Sequence, residues 1–114
     1  MTTLYGIKNC DTVKKAKRWL DDEGVAYEFH DFRSDGLSKD TLKAWVETVG
    51  FEKLVNNRST TWRQLPSDDK DNLNETKAVN LMLANPTLIK RPVLVADSEI
   101  IVGFKAENYQ EKLS

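Results

Sequence analysis

Tyr5-Gly6-Ile7-Lys8-Asn9-Cys10-Asp11-Thr12-Val13-Lys14-Lys15-Ala16 is the stretch on which the rest of the chain is read. Its first residues complete a short apolar strand, Thr3-Leu4-Tyr5-Gly6-Ile7, and its last ones open an amphipathic helix near Thr12 or Val13. Val13, Ala16 and Leu20 recur at helical spacing, Lys14, Lys15, Lys17, Arg18, Asp21 and Asp22 fill the opposite face, and Gly24 supplies the stop. Cys10, the chain's only cysteine, stands at the junction. A thiol there points at the positive end of a helix dipole, which favours its thiolate; such positions lower a thiol pKa from about 8.5 to roughly 3.5–7.5.

Working outward, Val25-Ala26-Tyr27-Glu28-Phe29-His30-Asp31-Phe32 alternates as a strand, with Tyr27, Phe29 and Asp31 on one face and Ala26, Glu28, His30 and Phe32 on the other. Strand, helix and strand make a parallel crossover unit. The middle of the chain is helical. Ser38 caps a helix carrying Leu42, Trp45, Val46 and Val49 that ends at Gly50. A polar connector, Asn56-Asn57-Arg58-Ser59, leads to a short helix around Thr61 to Leu65, broken by Pro66. Asn74 caps a further helix with Ala78, Leu81 and Met82, which stops near Asn85-Pro86. Strand character returns in Pro92-Val93-Leu94-Val95-Ala96 and Glu99-Ile100-Ile101-Val102, joined by a tight Asp97-Ser98 turn. A last helix after Gly103 turns Ala106, Tyr109 and Leu113 inward. The order predicts an α/β, thioredoxin-like fold in one domain over residues 1–114, with a mixed four-stranded sheet and a helical insertion at about 37–86.

Composition narrows the function classes. At 114 residues the chain has room for one core of ordinary size, and 17 basic against 18 acidic residues argue against a nucleic-acid surface. The N-terminus lacks the basic region and apolar core of a signal peptide, and no apolar run spans a bilayer, so the expected setting is cytoplasmic, without membrane contact. One cysteine and one histidine exclude an internal disulfide and a zinc-type cluster, so no metal and no tightly bound cofactor are expected. A monomer is the default.

Cys10 has two readings, a buried inert thiol or a nucleophile, and the strand-to-helix junction favours the second. Asp11 opposes it, because a neighbouring carboxylate raises a thiol pKa unless cations outweigh it. Lys8, Lys14 and Lys15 are either a solvated face or part of an anion site. Arg58 in its connector and Arg91 before Pro92 suit bidentate capture of a carboxylate or oxyanion, or else form surface ion pairs. His30 reads as a strand-surface residue rather than a base, and Trp62 as packing or the wall of a pocket. Val13 occupies the place of the second thiol in a CxxC motif, so a redox cycle must take its resolving thiol from outside, with glutathione the obvious supplier.

The opening stretch, taken with Lys90-Arg91-Pro92-Val93-Leu94-Val95, closely resembles the arsenate reductase-like (ArsC) family, and within it the bacterial YffB subgroup. The resemblance runs over nearly the whole chain. It implies a thioredoxin-like core, Cys10 as reactive thiol and Pro92 as a cis proline facing it. Lys8 and Asn9 join Arg58, Arg91 and Pro92 as candidate anion-binding residues. In arsenate-reducing members a cysteine and three arginines gather the oxyanion, while glutathione and glutaredoxin restore the thiol. Arg58 and Arg91 match two of these arginines; where the third precedes a proline, this chain has Gly103-Phe104. Each missing charge-assisted contact is worth about 1.5–3 kcal/mol, which weakens arsenate binding. The related Spx regulators bind RNA polymerase and sense oxidants through a CxxC switch that Val13 removes here. The leading expectation is a glutathione-dependent thiol oxidoreductase using Cys10 alone, with glutathione and glutaredoxin as partners. The alternatives are an arsenate reductase and an Spx-like regulatory protein.

Overall fold

The computed structural model describes residues 2–8, 10–96 and 99–113. Asn9 and the Asp97-Ser98 turn therefore lie outside the described residues. The chain divides into two compact units, one from residues 1–36 and 91–114, the other from residues 37–90.

The first unit holds a four-stranded sheet in the order β2-β1-β3-β4, built from β1 (Thr2–Gly6), β2 (Glu28–Asp31), β3 (Val93–Ala96) and β4 (Glu99–Val102). β2 runs parallel to β1, while β3 is antiparallel to both β1 and β4. This mixed sheet, with α1 (Asp11–Asp22) after β1 and α7 (Ala106–Leu113) after β4, is a thioredoxin-like fold. Its core follows from the periodicities. Val13, Ala16 and Leu20 of α1 pack with Leu4, Leu94 and Ile101 from the sheet and with Tyr109 of α7. Tyr109 is fully buried between Trp19 and Phe104, with ring centroids 5.6 and 4.9 Å away in edge-on contacts. Its hydroxyl donates to the Gly103 carbonyl at 3.2 Å.

Three expectations for this unit are corrected. The second strand covers four residues rather than eight, because its ladder to β1 runs from Thr3 opposite Glu28 to Gly6 opposite Asp31 and no further. The helix after β1 starts at Asp11, with Cys10 itself as N-cap. Ala106 is exposed, since α7 turns one face inward and Tyr109 occupies it.

In the second unit α2 (Lys39–Val49) is capped by Ser38, whose hydroxyl accepts from the Thr41 N–H, and α6 (Glu75–Ala84) by Asn74, whose side-chain oxygen accepts from the Lys77 N–H. Leu42, Trp45 and Val46 of α2 and Ala78, Val79 and Met82 of α6 are buried. Short helices α3 (Phe51–Leu54), α4 (Thr60–Gln64) and α5 (Ser67–Lys70) lie between them. A 3-10 turn, Pro86–Leu88, carries the helical region past Asn85. The unit closes on itself where the Lys90 N–H donates to Leu54 and the Asn56 N–H to Leu88. No helix among the described residues is long and apolar enough to cross a membrane.

Candidate active site

Cys10 leaves β1 through a tight turn in which its N–H donates to the Ile7 carbonyl at 3.2 Å, and its own carbonyl then accepts from Lys14 at 3.0 Å to start α1. Its backbone is extended, φ −92° and ψ 126°, as an N-cap requires. The thiol is free and half-buried against the core that α1 forms with the sheet. Burial by itself pushes the thiol up. The Val13 N–H, a hydrogen bond from the Arg91 side chain, the Thr12 N–H and the charge on Arg91 together outweigh burial and hold it below the ordinary thiol value. Asp11, exposed in the first turn, does not reverse the direction.

Of the candidate anion-binding residues, Arg91 acts on the sulfur directly, through a side-chain hydrogen bond and its charge. Arg91 is half-buried and precedes Pro92 through a cis peptide bond, and Pro92 is fully buried, with its carbonyl accepting from Gly103 at 2.8 Å. Lys8 exposes its side chain, while its N–H donates to Asp31. Asn9 lies outside the described residues. Arg58 belongs to the second unit, exposed in the turn before α4, where its N–H donates to the Asn56 side chain at 3.2 Å. Trp62 of α4 has the Lys70 ammonium 5.7 Å from its ring centroid, a cation–π contact within that unit. His30 of β2 contacts the Tyr5 ring, with centroids 4.9 Å apart, and bonds the Gly36 carbonyl, as a strand-surface residue does.

The apolar spacing of α1 placed Val13 on its inward face, and the structure agrees. Val13, at the place of a second thiol, is fully buried in the core. Gly103 sits at φ +83°, a conformation costly for any residue with a side chain, and Phe104 packs on Tyr109. The Gly103-Phe104 position, against which the resemblance set a third arginine, is a turn and a packing residue. Asp31 is buried and tied to the loop that carries Cys10, although its place on a strand face was the only sign of it in the sequence.

The profile of the ArsC family matches residues 5–112. This chain belongs to the ArsC family. Its fold follows that of a solved YffB protein, 45% identical, with a TM-score of 0.97 and full coverage of both chains. It is also similar to an arsenate reductase (ArsC) related protein from Brucella melitensis, 47% identical over 98% of this chain and 93% of the other, TM-score 0.79. The global transcriptional regulator Spx of Streptococcus mutans is 29% identical over 109 residues, 94% of this chain and 79% of the regulator. The ArsC-family scaffold thus carries both reductase-related and regulatory relatives.

Proposed function

We propose that this ArsC-family chain is a glutathione-dependent monothiol oxidoreductase of the cytoplasm, acting as a monomer with Cys10 as nucleophile. The supporting observation is the setting of the sulfur, where helix-start N–H groups and the Arg91 guanidinium lower the thiol against the effect of burial. In the first step the Cys10 thiolate attacks the glutathione sulfur of a mixed disulfide. A Cys10–glutathione disulfide forms as the substrate's S–S bond breaks, and the leaving thiolate takes a proton from solvent. A second glutathione thiolate then attacks that disulfide, releasing oxidised glutathione and regenerating the Cys10 thiolate. The substrate disulfide is reduced by two electrons and two glutathione sulfurs end as a disulfide. Val13 offers no internal resolving thiol, so glutathione or a glutaredoxin supplies it.

In this reading Arg91 meets the carboxylates or developing charge of the glutathione-bearing substrate, and Lys8, Asn9 and Pro92 remain further candidates for anion binding. Arg58 enters by family resemblance, and Arg58→Ala is expected to raise KM with little change in kcat. Intact mass after incubation with oxidised glutathione tests the reading: one glutathione added to the wild type and none to Cys10→Ser. A wild type that stays unmodified, or alkylates with the pH profile of an ordinary thiol, refutes it. Arsenate turnover with glutathione and glutaredoxin supplied tests the variant in which arsenate is the substrate.

The likeness to Spx supports a second reading, a regulatory module that binds RNA polymerase. It predicts that Cys10→Ser leaves the cellular phenotype intact and that polymerase co-purifies.

A further inference from the structure

Asp31 is the buried charged residue among those described, 6% exposed at the end of β2. A buried carboxylate is costly unless its oxygens are bonded. Both are. Oδ1 accepts from the Arg33 N–H at 2.7 Å and the Ser34 N–H at 3.1 Å, which shapes the turn that follows the strand. Oδ2 reaches across to β1's exit and accepts from the Lys8 N–H at 3.0 Å. A turn needs the first oxygen only, because aspartate and asparagine make such turns at exposed sites throughout proteins. The second oxygen serves the loop that carries Cys10. Just upstream, the Phe32 N–H donates to the Gly6 carbonyl at 2.8 Å, so the chain is held at Gly6 and again at Lys8. From Lys8 the next fixed point is the Cys10 N–H bonded back to Ile7.

We propose that Asp31 is a positioning residue for Cys10, its carboxylate holding the Ile7–Cys10 turn through the Lys8 N–H so that the sulfur stands at the start of α1 and beside Arg91. The role rests on the reading of Cys10 as nucleophile. The Asp31 oxygens bond the Lys8, Arg33 and Ser34 N–H groups, so the residue acts on the sulfur through the backbone. Burial raises its carboxyl pKa, but the Ser34, Arg33 and Lys8 N–H groups, with the charge on Arg33, bring it below the usual value, as a carboxylate kept ionised for hydrogen bonding requires.

Asp31→Asn separates the two halves of the clamp. Its single oxygen stays with the two turn N–H groups, and its amide then faces the Lys8 N–H, donor against donor. Asp35→Ala is the control: it removes the carboxylate that accepts from the Asp31 N–H in the same turn and leaves the Asp31 side chain in place. Lys8 amide exchange is read by NMR, and Cys10 reactivity by the pH profile of iodoacetamide alkylation, in which the thiolate forms a C–S bond and iodide leaves. The wild type should protect the Lys8 amide. In Asp31→Asn that amide should exchange at least about tenfold faster, and alkylation at neutral pH should slow about three- to tenfold as the thiol moves toward its free value. Asp35→Ala should keep both within about twofold. Asp31→Glu, which keeps the charge but displaces the carboxylate by one methylene, should act in the same direction and substitutes if Asp31→Asn does not fold. An unprotected wild-type Lys8 amide overturns the proposal, as does an alkylation profile that a folded Asp31 variant leaves unmoved or that Asp35→Ala moves equally. If the wild type itself alkylates as an ordinary thiol, the nucleophile reading falls and this role with it; a lowered wild-type profile unmoved by Asp31 variants removes this role alone.

Discussion

Gly6→Ala tests the join between the first strand and the helix that carries the thiol. A Cβ on Gly6 would stand 2.7 Å from Val13 Cγ2, 3.4 Å from Cγ1 and 3.7 Å from Cβ. Carbon atoms pack best at about 3.5–4.0 Å, so the closest pair must separate by roughly 1 Å. Neither partner yields easily. Val13 is fully buried in the first turn of α1, where a β-branched side chain holds one rotamer, and Gly6 is pinned by the Phe32 N–H on its carbonyl. Relief must come from the start of α1 moving off β1, an overpacking cost of about 1–3 kcal/mol. Against a typical stability of about 5–15 kcal/mol that is a large loss, and for a chain this size it lowers Tm by roughly 5–15 °C. Urea and thermal unfolding followed by circular dichroism measure it. Val13→Ala alone should cost about 1–3 kcal/mol for the buried methyl groups, but less in the Gly6→Ala background, where it opens the space the new methyl needs. Alkylation of Cys10 should slow in Gly6→Ala as the Val13 N–H shifts from the sulfur. A Gly6→Ala protein within about 0.5 kcal/mol of wild type, or a strictly additive double variant, would refute the reasoning.

Further tests follow from the same contacts. Arg91→Met should raise the Cys10 pKa and slow its alkylation at neutral pH, measured as a rate–pH profile. Because the folded thiol is lowered, its ionisation stabilises the fold above the unfolded value of about 8.5 and that contribution is lost as pH falls through the folded value. The stability of wild type over Cys10→Ser should therefore grow from neutral pH toward about 8.5 in urea melts. Tyr109→Phe removes the hydrogen bond to Gly103 and should cost about 0.5–1.5 kcal/mol, whereas Tyr109→Ala empties the core between Trp19 and Phe104 and should cost about 3–5 kcal/mol. Burial raises the Tyr109 phenol well above its ordinary value, so stability present below about pH 10 declines as pH rises beyond it, and absorbance should show that tyrosine ionising only with unfolding. Ser38→Ala removes the acceptor for the Thr41 N–H and should cost the second unit about 0.5–2 kcal/mol in chemical denaturation.

Much of the fold could be read along the chain because its signals are local. The apolar spacing of Val13, Ala16 and Leu20, the caps Ser38 and Asn74, and the short apolar runs in residues 93–96 and 99–102 each act within one element, and each element formed. The short helices α3 and α5 left no comparable mark, since four residues make too little periodicity to detect. The outward turn of Ala106 was likewise invisible, because facing within α7 is set by Tyr109 filling the space beside Trp19.

The site divides along the same line. Sequence alone determined that Cys10 lies at a strand-to-helix junction, that no second thiol stands at Val13, and that an arginine precedes Pro92 at the head of a core strand, because these are facts of order and spacing. The balance of charge on the sulfur was decided in three dimensions. Asp11, adjacent in the chain, pointed toward a raised thiol, and the fold brought Arg91 and the Val13 and Thr12 N–H groups onto the sulfur instead. Asp31 was one more residue in an alternating strand until the parallel pairing of β2 with β1 set it beside the Lys8 N–H. Hydrogen bonds form only at about 3 Å and charges are screened within roughly 10 Å, so both depend on which residues the fold makes neighbours, and separation along the chain carries little of that information.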